Sequence, residues 1–340
     1  MMATEFEIVI LFILSAVASS SYRDPTPITR VGKLIVDTDA GGDDAVALIM
    51  AAESEKLNEG PKLIAITCVN GNADVDRVAV NVLKTLKIVQ RLDIPVYKGA
   101  SHPVMLPVTY DYYYGKDGFG DFHYPEPPST TLIQTKHAVI AMIDLVKEYP
   151  GEVTLLALGP LTNIALAIRM YPEFLEKLQQ LIVMGGSTEG RGNMKPSIEF
   201  NFFADPSANH IVLSSASKPI TLVPLETTKR ARVDTEFKMS LNQTNNMKFW
   251  LIHQAGNSIS KPVTPLWNSP DAVAAAVALT SGSVITRMEA CYSEAVYEGV
   301  KTAGMILVDY TNITDNVANI NLVQDIDTGA LKQLYSNYLK

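Results

Sequence analysis

Lys33-Leu34-Ile35-Val36-Asp37-Thr38-Asp39-Ala40-Gly41-Gly42-Asp43-Asp44-Ala45-Val46-Ala47-Leu48-Ile49-Met50 decides how the chain is read. Lys33 to Asp37 is a short apolar run of the kind that forms a buried strand; a Gly-Gly turn follows; from Asp44 to Lys56 apolar residues return at helical spacing. Strand, turn and helix in that order begin a βαβ unit, which lays a helix on a parallel sheet. The pattern recurs downstream. Further strands are predicted at Leu63 to Cys68, Pro95 to Tyr97, Val153 to Leu158, Leu181 to Met184 and Pro219 to Val223. Helices are predicted at Val75 to Arg91, Thr135 to Tyr149, Leu161 to Met170 and Pro206 to Ser215, with proline as the stop at Tyr149-Pro150 and Tyr171-Pro172. The class is α/β: an open, mostly parallel sheet with flanking helices. Pro103 to Pro128, holding Tyr110, Tyr112, Tyr113 and Tyr114 among several Gly and Pro, reads as one long irregular loop, and loops of that length usually serve function.

Composition narrows the partners. The 340 residues are 47% hydrophobic and 19% charged, which is globular and excludes disordered or fibrous classes. Acidic residues outnumber basic ones by 36 to 28, and no basic run stands out, so the electrostatic footprint of a nucleic-acid binder is missing. Ile8 to Val17 is an apolar run of ten residues ending in the small-x-small Ala16-Val17-Ala18. It is too short to span a bilayer and is predicted to be a signal peptide over residues 1–18, despite Glu5 and Glu7 where positive charge is usual. Residues 19–32 then form an N-terminal extension, and the protein is expected to be secreted, with no membrane partner. Sequons at Asn242-Gln243-Thr244 and Asn312-Ile313-Thr314 fit a glycoprotein. The only cysteines are Cys68 and Cys291, and Cys68, closing an apolar strand, is expected to be a packed thiol and not a bridge partner.

Chemistry is concentrated in the opening stretch. Asp37, Asp39, Asp43 and Asp44 fall within eight residues at the carboxyl end of the first strand, where ligands collect in open α/β sheets. Carboxylates packed so closely repel one another and raise one another's pKa values unless a cation neutralises them. Hard oxygen donors with no His or Cys nearby select calcium or magnesium over zinc. Taken singly, Asp43 and Asp44 would be read as helix N-terminal charges and the glycines as a plain turn.

The string Asp37-Thr38-Asp39-Ala40-Gly41-Gly42-Asp43-Asp44-Ala45 resembles the DxDxGxDDA signature of the inosine-uridine-preferring nucleoside hydrolases. Gly71-Asn72, Leu158-Gly159-Pro160-Leu161-Thr162-Asn163, and Met184-Gly185-Gly186 running on through Gly192-Asn193 to Glu199-Phe200-Asn201 and Ala204-Asp205-Pro206 follow in the family's order. The resemblance implies a single Rossmann-like domain over residues 33–340 and hydrolysis of the N-glycosidic bond of ribonucleosides, releasing base and ribose. It implies Ca2+ held by Asp39, Asp44, the carbonyl of Leu158 and Asp271, with Asp39 taking a proton from the attacking water. By the same resemblance Asp43, Asn72, Asn193, Glu199 and Asn201 bind ribose hydroxyls, Met184 and Phe200 form an apolar wall, and the assembly is a dimer or tetramer. Read locally, Asp271 is a first-turn helix residue behind an N-cap serine and Pro270, and both readings hold together.

The chain departs from the pattern at the leaving group. Where many members place a histidine or tryptophan before the late Asp stands Pro270, and where a His-Gly pair is common stands Tyr114-Gly115. Tyr114, Trp267 and His253 are the candidates to stack on the base or give it a proton, and the stacking option points to purine nucleosides: inosine, guanosine or adenosine. Two alternatives remain open at this level. One is a phosphatase-like enzyme using Asp37 as nucleophile, which Gly41 in place of Thr or Val disfavours. The other is a non-catalytic nucleoside or ribose binder on the same fold, which Pro270 and Tyr114 make credible.

Overall fold

In the computed structural model, which describes residues 24–256 and 265–340, the opening stretch forms strand β1 (Lys33–Thr38) and the Gly42–Lys56 helix. Side chains of β1 alternate between two cores, Leu34 and Val36 on one face of the sheet and Ile35 on the other. A strand covered on both faces must be apolar throughout, which explains the unbroken run.

Among the described residues the main sheet adds β2 (Lys62–Cys68), β3 (Val96–Lys98), β4 (Ile133–Gln134), β5 (Val153–Ala157), β6 (Gln180–Met184) and β7 (Ile220–Val223). A separate ribbon pairs β8 (Val233–Asp234) with β9 (Leu266–Trp267), and β10 (Ile285–Ala295), β11 (Ile306–Asp309) and β12 (Ile320–Ile326) return to the main sheet. The order is β11-β10-β12-β7-β6-β5-β1-β2-β3-β4. Every pairing from β12 to β4 is parallel, and only the contacts of β10 are antiparallel. From β1 the chain builds outward to β4, then returns to β5 on the other side of β1, so the winding direction reverses between β1 and β5. That reversal opens a crevice at the carboxyl ends of these two strands.

One face of the sheet is covered by the Gly42–Lys56, Val75–Ile88, Met247–Gly256, Pro270–Leu279 and Thr328–Tyr338 helices, the other by Ala138–Glu148, Thr162–Met170 and Pro206–Ser214. Element ends move by a few residues from expectation for local reasons. The first helix starts at Gly42 because Gly41 is its N-cap, and the second ends at Ile88 because Gln90 takes a left-handed conformation. Cys68 and Cys291 are both buried and free. Residues 103–128 contain neither helix nor strand, as expected. The loop is nonetheless pinned: Val104 N–H donates to Asp205 at 2.8 Å, Asn81 Nδ2 to the Asp117 carbonyl at 2.8 Å, and Phe122 packs edge-on against Trp250.

The predicted leader, residues 1–18, lies outside the described residues. Of the extension, Thr26 exchanges hydrogen bonds with the Asn321 side chain at 3.1 and 2.9 Å, and Thr29 N–H donates to Gln180 at 3.2 Å, so it crosses the amino ends of β12 and β6. Among the described residues no helix is long and apolar enough to cross a membrane.

Candidate active site

The crevice between β1 and β5 is a cleft of about 260 Å³. Lining it are Asp39, Asp43, Asn72, Tyr114, Leu158, Met184, Asn193, Glu199, Phe200, Asn201 and Asp271, drawn from positions as far apart as the first strand and the last third of the chain. Asp44 sits just beneath, fully buried, and closes the turn after β1. Its Oδ2 accepts Gly41 N–H at 2.7 Å while its Oδ1 accepts the Thr38 hydroxyl. Helix-capping and membership of the cluster are therefore the same geometry for Asp44. Ala40, inside this turn, is held at φ 39°, a left-handed conformation that costs a non-glycine residue of order 1 kcal/mol and fixes where Asp39 points. Asn72 N–H donates to Asp39 Oδ2 at 2.8 Å. The surroundings fit Asp39 closely: a Cβ on Gly71 would stand 2.1 Å from Asp39 Oδ2.

One oxygen each of Asp43, Asp44 and Asp271 lie within 4.8 Å of one another. Asp271 arrives at the first turn of the Pro270–Leu279 helix, with Pro270 at its start; Ser269 occupies the N-cap, but its hydroxyl makes no cap hydrogen bond and has no partner. Burial pushes Asp39 and Asp271 well above the ordinary carboxylate range, and the charges of neighbouring aspartates push them further. Asp44 is raised by the same causes, to about 7. Among the described residues no lysine or arginine forms an ion pair with Asp39, Asp44 or Asp271. Buried like charges without a protein cation are the electrostatic signature of a cation site.

Glu199 is the N-cap of the short Phe200–Ala204 helix, its Oε2 accepting N–H groups of Gly186 at 2.9 Å and Phe202 at 3.2 Å; burial nevertheless raises it to about 7. Asn201 Nδ2 donates to the carbonyls of Leu158 at 2.8 Å and Met184 at 3.2 Å, tying the ends of β5 and β6. Tyr114 is buried and hydrogen-bonded to Asp43, and burial followed by the Asp43 charge drives its hydroxyl well above the ordinary phenol range. Its ring meets Tyr113 edge-on at 4.8 Å.

Three sequence candidates lie elsewhere. Trp267 does not line the cleft: its ring packs on Tyr335 at 5.0 Å, beneath Lys238. His253 also stays outside, stacked on Phe249 at 5.9 Å on a helix whose apolar side it extends. Asp37, the nucleophile of the phosphatase-like alternative, is fully buried below the cleft, where Thr67 Oγ1 and Asn163 Nδ2 donate to its Oδ1 at 2.6 and 2.8 Å. It buttresses strand ends and does not line the cleft, which removes that alternative. Conversely, Asp111, Lys229, Arg232 and Asn268 line the cleft without having been expected. Lys229 and Arg232 stand in the stretch Lys229-Arg230-Ala231-Arg232, too short to be read locally as a basic run, and nothing local marks the other two.

An open α/β sheet whose switch-point crevice joins buried carboxylates to a ring of polar side chains has the form of a small-molecule site of the α/β class. Residues 34–333 match the family described as inosine-uridine preferring nucleoside hydrolase. The chain belongs to that family and is an N-ribosyl hydrolase. It is 34% identical over 325 residues to the pyrimidine-specific ribonucleoside hydrolase RihA of Enterobacter sp. (strain 638), spanning 90% of this chain and 97% of the relative. Among solved structures it resembles an inosine-guanosine nucleoside hydrolase (TM-score 0.82, 30% identity, 90% of this chain and 98% of the other). The purine-preferring ribonucleoside hydrolase from Gardnerella vaginalis is also similar (TM-score 0.79, 25% identity, 90% and 98%).

Proposed function

We propose that the protein is a calcium-dependent ribonucleoside hydrolase with a preference for purine nucleosides, and that Asp39 is its general base. The observation that carries this is the convergence of Asp39, Asp44 and Asp271, buried and mutually repelling, from two segments more than two hundred residues apart. The donors are all carboxylate and carbonyl oxygens, which suits a hard cation, and we assign its binding to Asp39, Asp44, Asp271 and the Leu158 carbonyl. Bound there, calcium supplies a fixed position and a polarising charge for the attacking water.

The chain's own groups account for the rest of the reaction. Asp43, Asn72, Asn193, Glu199 and Asn201 grip the ribose hydroxyls and hold the anomeric carbon against Asp39. Water oxygen bonds to that carbon as the carbon–nitrogen bond breaks; the bonding pair leaves with the base, and the water proton passes to Asp39. General-base help of this kind is worth about 10² to 10⁴ in rate, so the grip on ribose must supply most of the remainder. The Tyr114 hydroxyl, committed to Asp43 and weakly acidic, serves as an anchor for the ribose side, and the neighbouring Tyr113 ring, which also lines the cleft, stacks on the base. That ring, half exposed at the cleft, favours the larger face of a purine.

The test is ribose release from inosine, guanosine, adenosine and uridine, before and after chelation and on return of calcium. Activity is expected to vanish with chelator and return with calcium. Asp39→Ala is expected to lose more than about 10³-fold while keeping its circular dichroism spectrum, and Asp271→Asn to weaken calcium binding. Tight nucleoside binding without any ribose release would instead establish the binder.

A further inference from the structure

β8 and β9 pair Val233 with Trp267 and Asp234 with Leu266, antiparallel. Arg232, one residue before this ladder, therefore stands across from Asn268, one residue after it, and both side chains line the cleft. Arg232 Nε and Asn268 Oδ1 are each buried with no hydrogen-bond partner. One is a donor and the other an acceptor. Buried polar atoms without partners are uncommon in folded proteins, and a facing donor and acceptor in the wall of a binding cleft point to a ligand that satisfies both. The neighbouring cation is already engaged, because Lys229 Nζ donates to the Arg191 carbonyl at 2.8 Å.

With the carboxylate floor and the amide grips committed to calcium and ribose, the base is the part of a nucleoside left to meet this wall. We propose that Arg232 and Asn268 read the lactam edge of the base, a ring carbonyl beside a ring N–H, and so select oxo bases over amino bases. Arg232 donates to the carbonyl oxygen, O6 of hypoxanthine or guanine, and Asn268 Oδ1 accepts the adjacent N1–H. Uracil presents the same edge through O4 and N3–H. Adenine and cytosine reverse it: an exocyclic amino group faces the guanidinium and a bare ring nitrogen faces the amide. The Asn268 amide can turn to suit, but a guanidinium has no acceptor to offer, so the amino group and Arg232 are left as two opposed donors. Selection is then by functional group and is independent of ring size. This rests on the hydrolase reading of the same cleft.

The test compares kcat/KM for inosine against adenosine and for uridine against cytidine. Both ratios are expected to favour the oxo base by about tenfold or more in the wild type and to collapse toward one in Arg232→Met, with Arg232→Lys restoring part of the preference. Asn268→Leu is expected to reduce the same ratios, and a melting curve confirms that each variant is folded. A purely structural role for Arg232 would lower all four values alike and leave the ratios in place. In parallel, inosine and adenosine are titrated calorimetrically into Asp39→Ala protein, with and without Arg232→Met, which reads the preference without turnover. Equal treatment of inosine and adenosine by the wild type, or ratios unmoved by Arg232→Met, would overturn the inference. Failure to release ribose from any nucleoside would instead remove the hydrolase reading, and the titration would still decide whether Arg232 distinguishes the bases.

Discussion

Gly71→Ala should disable the site while leaving the fold standing. A methyl group at Gly71 would fall 2.1 Å from Asp39 Oδ2 and 2.7 Å from its Cβ and Cγ, whereas ordinary contact begins at 3.4 Å. The carboxylate, or the backbone that carries Asn72, must therefore give way by roughly 1.3 Å, a displacement of the size that costs about 10²-fold when reacting groups lose alignment. Asp39 cannot yield freely, because the left-handed Ala40 and the 2.8 Å bond from Asn72 N–H fix it from both sides. A fall of about 10²-fold in kcat/KM, or about 2.7 kcal/mol, is expected, with weaker calcium binding beside it. Overpacking should also cost about 1 to 3 kcal/mol of stability. Gly32→Ala is the matched control, since a Cβ there meets nothing within 4 Å. Initial rates of ribose release from inosine and urea denaturation of both variants measure these effects. Wild-type kcat/KM in folded Gly71→Ala, or equal losses in the two variants, would refute the reasoning.

Two further outcomes follow from the site. Burial raises the Glu199 carboxyl from 4.5 to about 7, so the folded chain retains a proton that the unfolded chain has released; its contribution is complete below about pH 4.5 and is lost as pH rises through about 7. Calcium-free wild type should then lose up to about 3 kcal/mol more than Glu199→Gln between these limits in denaturant titrations, and parallel profiles would show that Glu199 is charged throughout. Tyr114→Phe, which removes the hydroxyl bonded to Asp43, should cost about tenfold in kcat/KM for inosine, while His253→Ala should stay within about twofold. Comparable losses in the two variants would mean that the cleft extends to His253.

The βαβ half of the molecule was legible because β1, β2, β5, β6 and β7 are apolar and almost wholly buried, with stop signals closing several of the helices between them; β4, two residues long and half exposed, carried no such signal and was missed. The carboxylate turn was legible because Asp37 to Asp44 are contiguous. What escaped was built from long-range pairing. β10, β11 and β12 have mixed burial and meet antiparallel partners that no local pattern names. The Pro270–Leu279 helix is so completely buried that it has no polar face to show a period. Trp267 and His253 were plausible as base contacts by type, yet the tryptophan's nearest partner, Tyr335, lies in the last helix, at a separation that a local reading cannot bridge. Arg232 and Asn268 escaped for the same reason: only the two-residue ribbon brings them face to face.

That ribbon stands apart from the main sheet, and the distinction bears on how separable the two ends of the cleft are. Asp39, Asp44 and Leu158 hang from the buried ends of β1 and β5, so an exchange there disturbs the core of the molecule along with its chemistry. Tyr113 lies on a surface loop, and Arg232 and Asn268 flank the outlying ribbon, away from the ends of β1 and β5. On the roles proposed above, bond cleavage and choice of base rest on separate parts of the fold. Substitutions in the wall are then expected to change which nucleoside is taken while the carboxylates beneath keep their places.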